Sequence, residues 1–268
     1  MSSSEPAALS DPVDPFSPFR LDGRVAVVTG ASSGLGARFA RVLHAAGADV
    51  VVAARRVERL EELAASLGGT RVTVVAADVS VDADCERLVA TAVEAGGGRL
   101  DVLVNNAGIG ETVRAEDESI DRFREVVDVN LNALFFLSQL AGRHMLAARG
   151  GSIENIASIL GLVGSSPLKQ ASYCASKGGV VNLTRELGAQ WARKGVRVNA
   201  LAPGWFPSEM TAEMWADESG QNFVTTHCPM GRGGREDELD GALLFLASDA
   251  SSYVTGHTLA VDGGWIAR

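Results

Sequence analysis

Arg24-Val25-Ala26-Val27-Val28-Thr29-Gly30-Ala31-Ser32-Ser33-Gly34-Leu35-Gly36 is the stretch that decides the fold. Its first half is a nearly continuous apolar run, as expected of a strand covered on both faces. After the glycines, Phe39, Val42, Leu43 and Ala46 recur at helical spacing, and Gly47 supplies the stop. The order is therefore strand, glycine-rich turn, helix. A helix N-terminus offers free N–H groups and the positive end of its dipole, and glycines let a phosphate come close to the backbone. Gly30, Gly34, Leu35 and Gly36 are accordingly the candidate contacts of a pyrophosphate. Glycines that serve only chain reversal are the competing reading, and the flanking strand and helix weigh against it.

The same alternation extends outward. Asp49 to Ala54 is a second apolar run, followed by Leu60, Leu63, Ala64 and Leu67 with Gly68 and Gly69 as the stop. Further strands are expected at Val72 to Ala76, Asp101 to Val104, Ser152 to Ile156, Val196 to Ala200 and Leu259 to Val261, with a helix near Asp84 to Ala95. Repeated βαβ units predict a single-domain, Rossmann-type α/β fold: a doubly wound parallel sheet flanked by helices. Residues 1–20 hold four of the eight prolines and read as an irregular arm. Residues 21–268 read as the catalytic domain, with a lid segment at about 205–234.

Composition narrows the function. Of the 268 residues, 24 are Lys or Arg and 33 Asp or Glu, a formal charge of −9, which argues against a nucleic-acid or membrane surface. Cys85, Cys174 and Cys228 are far apart, with no His at ligand spacing, so free thiols are expected and no metal. No secretory signal or membrane-spanning run is apparent, and a cytoplasmic location is the expectation. Gly is abundant at 30 residues, whereas Tyr numbers two and Lys only Lys169, Lys177 and Lys194.

Against that scarcity, Tyr173 and Lys177 lie four apart in a stretch that reads as a helix, so both project from one face. A chance pair at this spacing is expected only about 0.02 times per chain. An ammonium beside a phenol favours the phenolate, drawing its pKa down toward a working pH, so the pair suits proton exchange with a carbonyl or alcohol oxygen. Ser158 follows the strand Ser152 to Ile156 at its carboxyl end, where ligands of open α/β sheets sit, although serines there also cap turns. Asn130 falls in Val129-Asn130-Leu131, where its amide has either a catalytic or a purely structural use.

The turn's spacing is T-G-x-x-x-G-x-G. Asp78-Val79 follows the third strand, Asn105-Asn106-Ala107-Gly108 ends the fourth, and Pro203-Gly204 follows the sixth. With Asn130, Ser158, Tyr173 and Lys177, these motifs resemble the short-chain dehydrogenase/reductase family, in its single-domain, 3-oxoacyl reductase-like branch, from about Leu21 onward. The resemblance implies an oxidoreductase acting on CH–OH groups. Tyr173 would be the acid/base, Lys177 its partner and a ribose ligand, Ser158 the carbonyl orienter, and Asn130 the holder of a relay water. It places Asp78 and Val79 at adenine, Asn106, Ala107 and Gly108 along the crevice, and Pro203, Gly204, Phe206 and Ser208 beside the nicotinamide. Ser208 stands where the family usually has Thr. The C-terminal stretch from Tyr253 to Trp265 is similar to the segment through which the family forms tetramers, so a homotetramer is implied.

An acid at the end of the second strand would bind the ribose 2′-hydroxyl of NAD. Ala54 stands there instead, followed by Arg55 and Arg56, which favours NADP(H) over NAD(H), with Ser32 and Ser33 as further hydroxyl donors to the same 2′-phosphate. Ile109, Leu160 and Trp205 are expected to wall the substrate pocket. Their apolar character suggests a ketone or 3-oxoacyl substrate, small and freely diffusing. The alternatives are an NAD-dependent polyol or sugar-acid dehydrogenase and, outside enzymes, a nucleotide-sensing protein on the same fold. Met210, Met214, Trp215, Phe223 and His227 form either an apolar lid or the core of a short helix. Glu154 is anomalous, an acid inside the apolar strand Ser152 to Ile156 with no partner evident from sequence: either the strand's face there reaches a polar pocket, or the acid is a tolerated burden on stability.

Overall fold

The computed structural model describes residues 14–267; residues 1–13, most of the expected arm, lie outside the described residues. Strands β1 (Val25–Thr29), β2 (Asp49–Ala54), β3 (Val72–Ala76), β4 (Val102–Asn105), β5 (Gly151–Ile156), β6 (Val196–Pro203) and β7 (Thr258–Val261) form one seven-stranded sheet. Their order is β3-β2-β1-β4-β5-β6-β7, and every pairing is parallel. The helices are α1 (Gly34–Ala45), α2 (Val57–Ser66), α3 (Asp82–Ala95), α4 (Ile120–Val127), α5 (Ala133–Ala148), α6 (Ala171–Trp191), α7 (Ala212–Ala216), α8 (Glu218–His227) and α9 (Asp240–Ala247).

The apolar strands require this layering. All five residues of β1 are buried, so both faces must be covered. Phe39 and Leu43 of α1, Leu60 of α2 and Leu243 of α9 pack on one face. Leu88 of α3, Leu137 and Met145 of α5 and Leu187 of α6 cover the other. Burying each such side chain contributes about 1.5–3 kcal/mol relative to exposure. Among the described residues, no helix is long and apolar enough to cross a membrane.

Because β1 lies between β2 and β4, the crossovers run in opposite directions on its two sides, and a crevice opens beyond the carboxyl ends of β1 and β4. Side-chain hydrogen bonds fix that mouth. The Thr29 hydroxyl accepts from the backbone N–H of Asn106 (3.0 Å) and of Ala107 (3.1 Å), while the Asn106 amide donates back to the Thr29 carbonyl (2.9 Å). Behind it, Asn105 donates to Ser138 of α5 (2.9 Å) and Asn155 of β5 (3.0 Å), and Asn155 donates to Thr184 of α6 (3.0 Å). These buried bonds tie two strands to two helices.

The other face of β5 explains Glu154. It is fully buried toward α9, and the Ser152 hydroxyl donates to it. Arg197 of β6 lies close enough to lower its pKa, but the guanidinium donates to the Leu246 carbonyl (2.7 Å), the Ser251 hydroxyl (2.7 Å) and the Ser248 carbonyl (3.0 Å). Burial prevails and pushes the Glu154 carboxyl up to about 7. The strand thus meets a polar pocket at the base of α9, the first of the two readings of Glu154, while the identity of its partners is not evident from sequence.

Candidate active site

Tyr173 and Lys177 are on the first turns of α6, one helical turn apart and facing the carboxyl end of β5. Lys177 is 4 % exposed and donates to the Ile156 carbonyl at 2.7 Å. Its ammonium lies 5.7 Å from the centre of the Tyr173 ring. Ser158 is the N-cap of a short turn, accepting from the Leu160 N–H at 3.1 Å, and its hydroxyl is also hydrogen-bonded to Tyr173.

The electrostatics differ from the expectation that Lys177 draws Tyr173 down. Burial pushes the Tyr173 phenol up to about 12, with the Ser158 hydrogen bond pulling the other way. Burial also lowers Lys177 to about 8. Desolvation dominates both groups because the ammonium spends its short contact on a carbonyl rather than on the phenol. Lys177 still carries its charge at neutral pH, and Tyr173 keeps its proton.

Asn130 sits in a single wide turn between α4 and α5. Its carboxamide oxygen accepts from the Ile109 N–H (2.8 Å), and its nitrogen donates to the Ile109 carbonyl (2.8 Å) and the Ser176 hydroxyl (3.1 Å). The side chain therefore clamps the wall residue Ile109 and does not itself line the crevice.

The crevice holds about 1050 Å³. The residues expected at the cofactor, from Gly30 through Arg55, Asp78, Asn106 and Gly204 to Ser208, line it together with Ser158, Tyr173, Lys177 and Ile109. Two expected wall residues do not. Trp205 packs edge-on against Phe223 (6.0 Å) and Trp265 (5.5 Å), and Leu160 is buried in the same cluster with Val224 and Cys228. Aromatic packing beneath α8 draws them away from the mouth. Met210 does line the crevice, whereas Met214, Trp215 and Phe223 join that cluster and the ring of His227 is bonded to the Phe223 carbonyl at 2.8 Å.

The residues present fit a dinucleotide. A Cβ on Gly30, which has φ +66°, would stand 2.9 Å from the Ala107 Cα, so only glycine keeps the turn this tight against β4. Ser33 is the N-cap of α1, yet its hydroxyl makes no bond to the helix, so the first N–H groups stay free of a side-chain cap. At the outer end, Arg56 donates to Ser32 (3.1 Å) and Ser33 (2.9 Å) and pairs with Glu209 at 2.8 Å, and Arg59 lies 3.3 Å from the same carboxylate. Arg55 turns instead toward Asp78, 3.8 Å away. The Ser208 hydroxyl accepts from the Thr211 N–H at 3.2 Å and caps the turn that leads into α7.

Sequence reading does not identify Thr29, Arg59 or Glu209. Thr29 is signalled only as the last strand residue before Gly30. Arg59 is three residues beyond Arg56 on the same helix face, a usable spacing. Glu209 is 153 residues from Arg56 in sequence, and no local pattern links them.

Comparison with known proteins agrees with this geometry. The family model described as enoyl-(acyl carrier protein) reductase matches residues 30–266. Galactitol 2-dehydrogenase (L-tagatose-forming) of Cereibacter sphaeroides is 44% identical over 250 residues, covering 92% of this chain and 96% of that one. The 2-dehydro-3-deoxy-D-gluconate 5-dehydrogenase of Bacillus subtilis (strain 168) is 40% identical over 251 residues, covering 93% and 97%. Among solved structures, a gluconate 5-dehydrogenase from Burkholderia cenocepacia J2315 in complex with NADP and tartrate superposes with a TM-score of 0.90 at 37% identity, covering 95% of this chain and 100% of the other.

Proposed function

This chain belongs to the short-chain dehydrogenase/reductase family, NAD(P)-dependent oxidoreductases acting on CH–OH groups, and on that premise we propose that it prefers NADP(H) and interconverts a secondary alcohol of a polyol or sugar acid with its ketone. The observation that carries the reading is one crevice with Ser158, Tyr173 and Lys177 at its inner end and the donors Ser32, Ser33 and Arg56 at its outer end, with Arg59 just outside it on Glu209. The relatives named for galactitol and for 2-dehydro-3-deoxy-D-gluconate support a polyhydroxylated substrate. So does the withdrawal of Leu160 and Trp205 from the wall, since a less apolar pocket suits hydroxyls better than an acyl chain.

Gly30, Gly34, Gly36 and the uncapped N-terminus of α1 would hold the pyrophosphate, Asp78 and Val79 the adenine side, and Pro203, Gly204, Phe206 and Ser208 the nicotinamide side. The bound nicotinamide supplies or accepts the hydride. In reduction, Tyr173 gives its phenolic proton to the carbonyl oxygen, which Ser158 holds by a hydrogen bond; in oxidation, Tyr173 takes the proton back. Lys177 keeps a positive charge beside the phenol, stabilising the phenolate left after transfer. Asn130 holds the wall at Ile109 and is the candidate for a relay of protons to Lys177. Three free thiols support a reducing, cytoplasmic compartment, and the exposed Ile120, Phe135 and Tyr253 support assembly, in the family's manner a homotetramer.

The test is steady-state kinetics over polyols, sugar acids and 3-oxoacyl thioesters with each nucleotide. We expect the highest kcat/KM for a polyol or sugar acid with NADP(H). A preference for a 3-oxoacyl thioester overturns the substrate class, and a preference for NAD(H) overturns the cofactor assignment.

A further inference from the structure

Glu209 lies within the expected lid segment, directly after Ser208. Its carboxylate accepts from the Ser33 hydroxyl (2.9 Å) and from Arg56 (2.8 and 3.2 Å), with Arg59 at 3.3 Å. Hydrogen bonds from Arg56 and Ser33 hold the carboxyl below its usual value. One hydroxyl of the β1–α1 turn and two guanidinium groups of the α2 start thus converge on one oxyanion, and the neighbouring Ser32 hydroxyl is tied in through Arg56. Every group in the cluster except Glu209 is a donor free of negative charge, and all but Arg59 line the crevice. A phosphate monoester is recognised by this same set of hydroxyls and arginines.

We propose that Glu209 is an internal occupant of the seat for the 2′-phosphate of the dinucleotide, and that the lid is latched to the β1–α1 turn through it. The inference rests on the NADP(H) reading of Ser32, Ser33 and Arg56. Carboxylate and phosphate cannot share one seat, because like charges repel and the donors are fixed in number. Arrival of the phosphate releases Glu209 and with it the segment from Ser208 to His227, which carries Met210 over the crevice and Trp215 and Phe223 in the adjoining cluster. A 2′-hydroxyl cannot displace a carboxylate from two arginines, so the latch discriminates between nucleotides by its release and not only by direct contact. Glu209 is half exposed, so the latch is weak enough to be displaced by a ligand.

The experiment is calorimetric titration of the full-length wild type and of Glu209→Gln with adenosine 2′,5′-bisphosphate and with adenosine 5′-monophosphate. Hydrogen exchange of residues 208–227 is followed in parallel. The latch requires roughly fivefold to tenfold tighter bisphosphate binding in the variant, with monophosphate binding unchanged. It also requires faster exchange of 208–227 in the wild type on adding the bisphosphate but not the monophosphate, and already in the variant without nucleotide. If the bisphosphate binds the wild type more tightly than the monophosphate but Glu209→Gln leaves it unchanged or weakens it, the latch is overturned and the NADP(H) reading stands. If the bisphosphate has no advantage in either protein, the NADP(H) reading falls and the latch with it.

Discussion

The two ends of the crevice are built on opposite principles. At the inner end, Ser158 and Lys177 are almost entirely buried and anchored to β5 and α6. At the outer end, Arg56 and Glu209 are about half exposed and hold one another from separate elements. Burial sets proton affinities at the inner end, which is why Tyr173 rises to about 12 and Lys177 falls to about 8. Solvent screening weakens the outer pairs and makes them exchangeable. Proton transfer needs fixed geometry, whereas recognition of a departing nucleotide needs contacts that can be given up.

The largest expected effect breaks the inner end. Tyr173→Phe deletes the proposed proton carrier while keeping the ring, so kcat should fall by roughly 10²–10⁴-fold with the melting temperature unchanged. Turnover within threefold of wild type refutes the assignment.

A second test asks whether burial governs protons away from the crevice as well. The Glu154 carboxyl stands at about 7 in the folded chain against an ordinary 4.5. Because the folded value is raised, the unfolded chain releases this proton first. The contribution is therefore fully present below about 4.5, is lost as pH rises, and has vanished above about 7. The difference is roughly 3 kcal/mol at 1.36 kcal/mol per unit. Urea unfolding of the wild type should show lower stability at pH 8 than at pH 5, and Glu154→Gln should flatten that slope. An unchanged slope would assign the pH dependence to other groups.

The smallest effect sharpens the contrast at the outer end. Arg56→Ala should raise KM for NADPH by about tenfold, close to 1.4 kcal/mol, and leave KM for NADH and the melting temperature nearly unaltered. Equal losses with both nucleotides would mean that Arg56 orders the turn and does not read the phosphate.

Much of this arrangement is legible in the chain because its signals are local. The strand, glycine turn and helix at residues 24–45 declare the sheet, and Tyr173 and Lys177 declare themselves by spacing on one helix. What stays hidden depends on contacts between distant segments. Leu160 and Trp205 read as wall residues, but Trp205 packs on Phe223 and Trp265 and Leu160 is buried in the same cluster, away from the crevice. Lys177 reads as the group that acidifies Tyr173, yet its short contact goes to a carbonyl that no sequence pattern marks. Glu154 reads as a misfit until β6 and α9 bring polar groups to it.

The wide turn at Asp128–Asn132, closed by the Ala133 N–H on the Asp128 carbonyl, amounts to a phase shift of one residue between α4 and α5. In a regular helix each residue advances the azimuth by about 100°. Removing one residue there would let α4 and α5 run on as a single rod, and the Asn130 carboxamide would rotate off the Ile109 backbone. The wall of the crevice is thus indexed to a counting error in a helix, which makes residues 128–132 far less tolerant of a length change than of most changes in side chain.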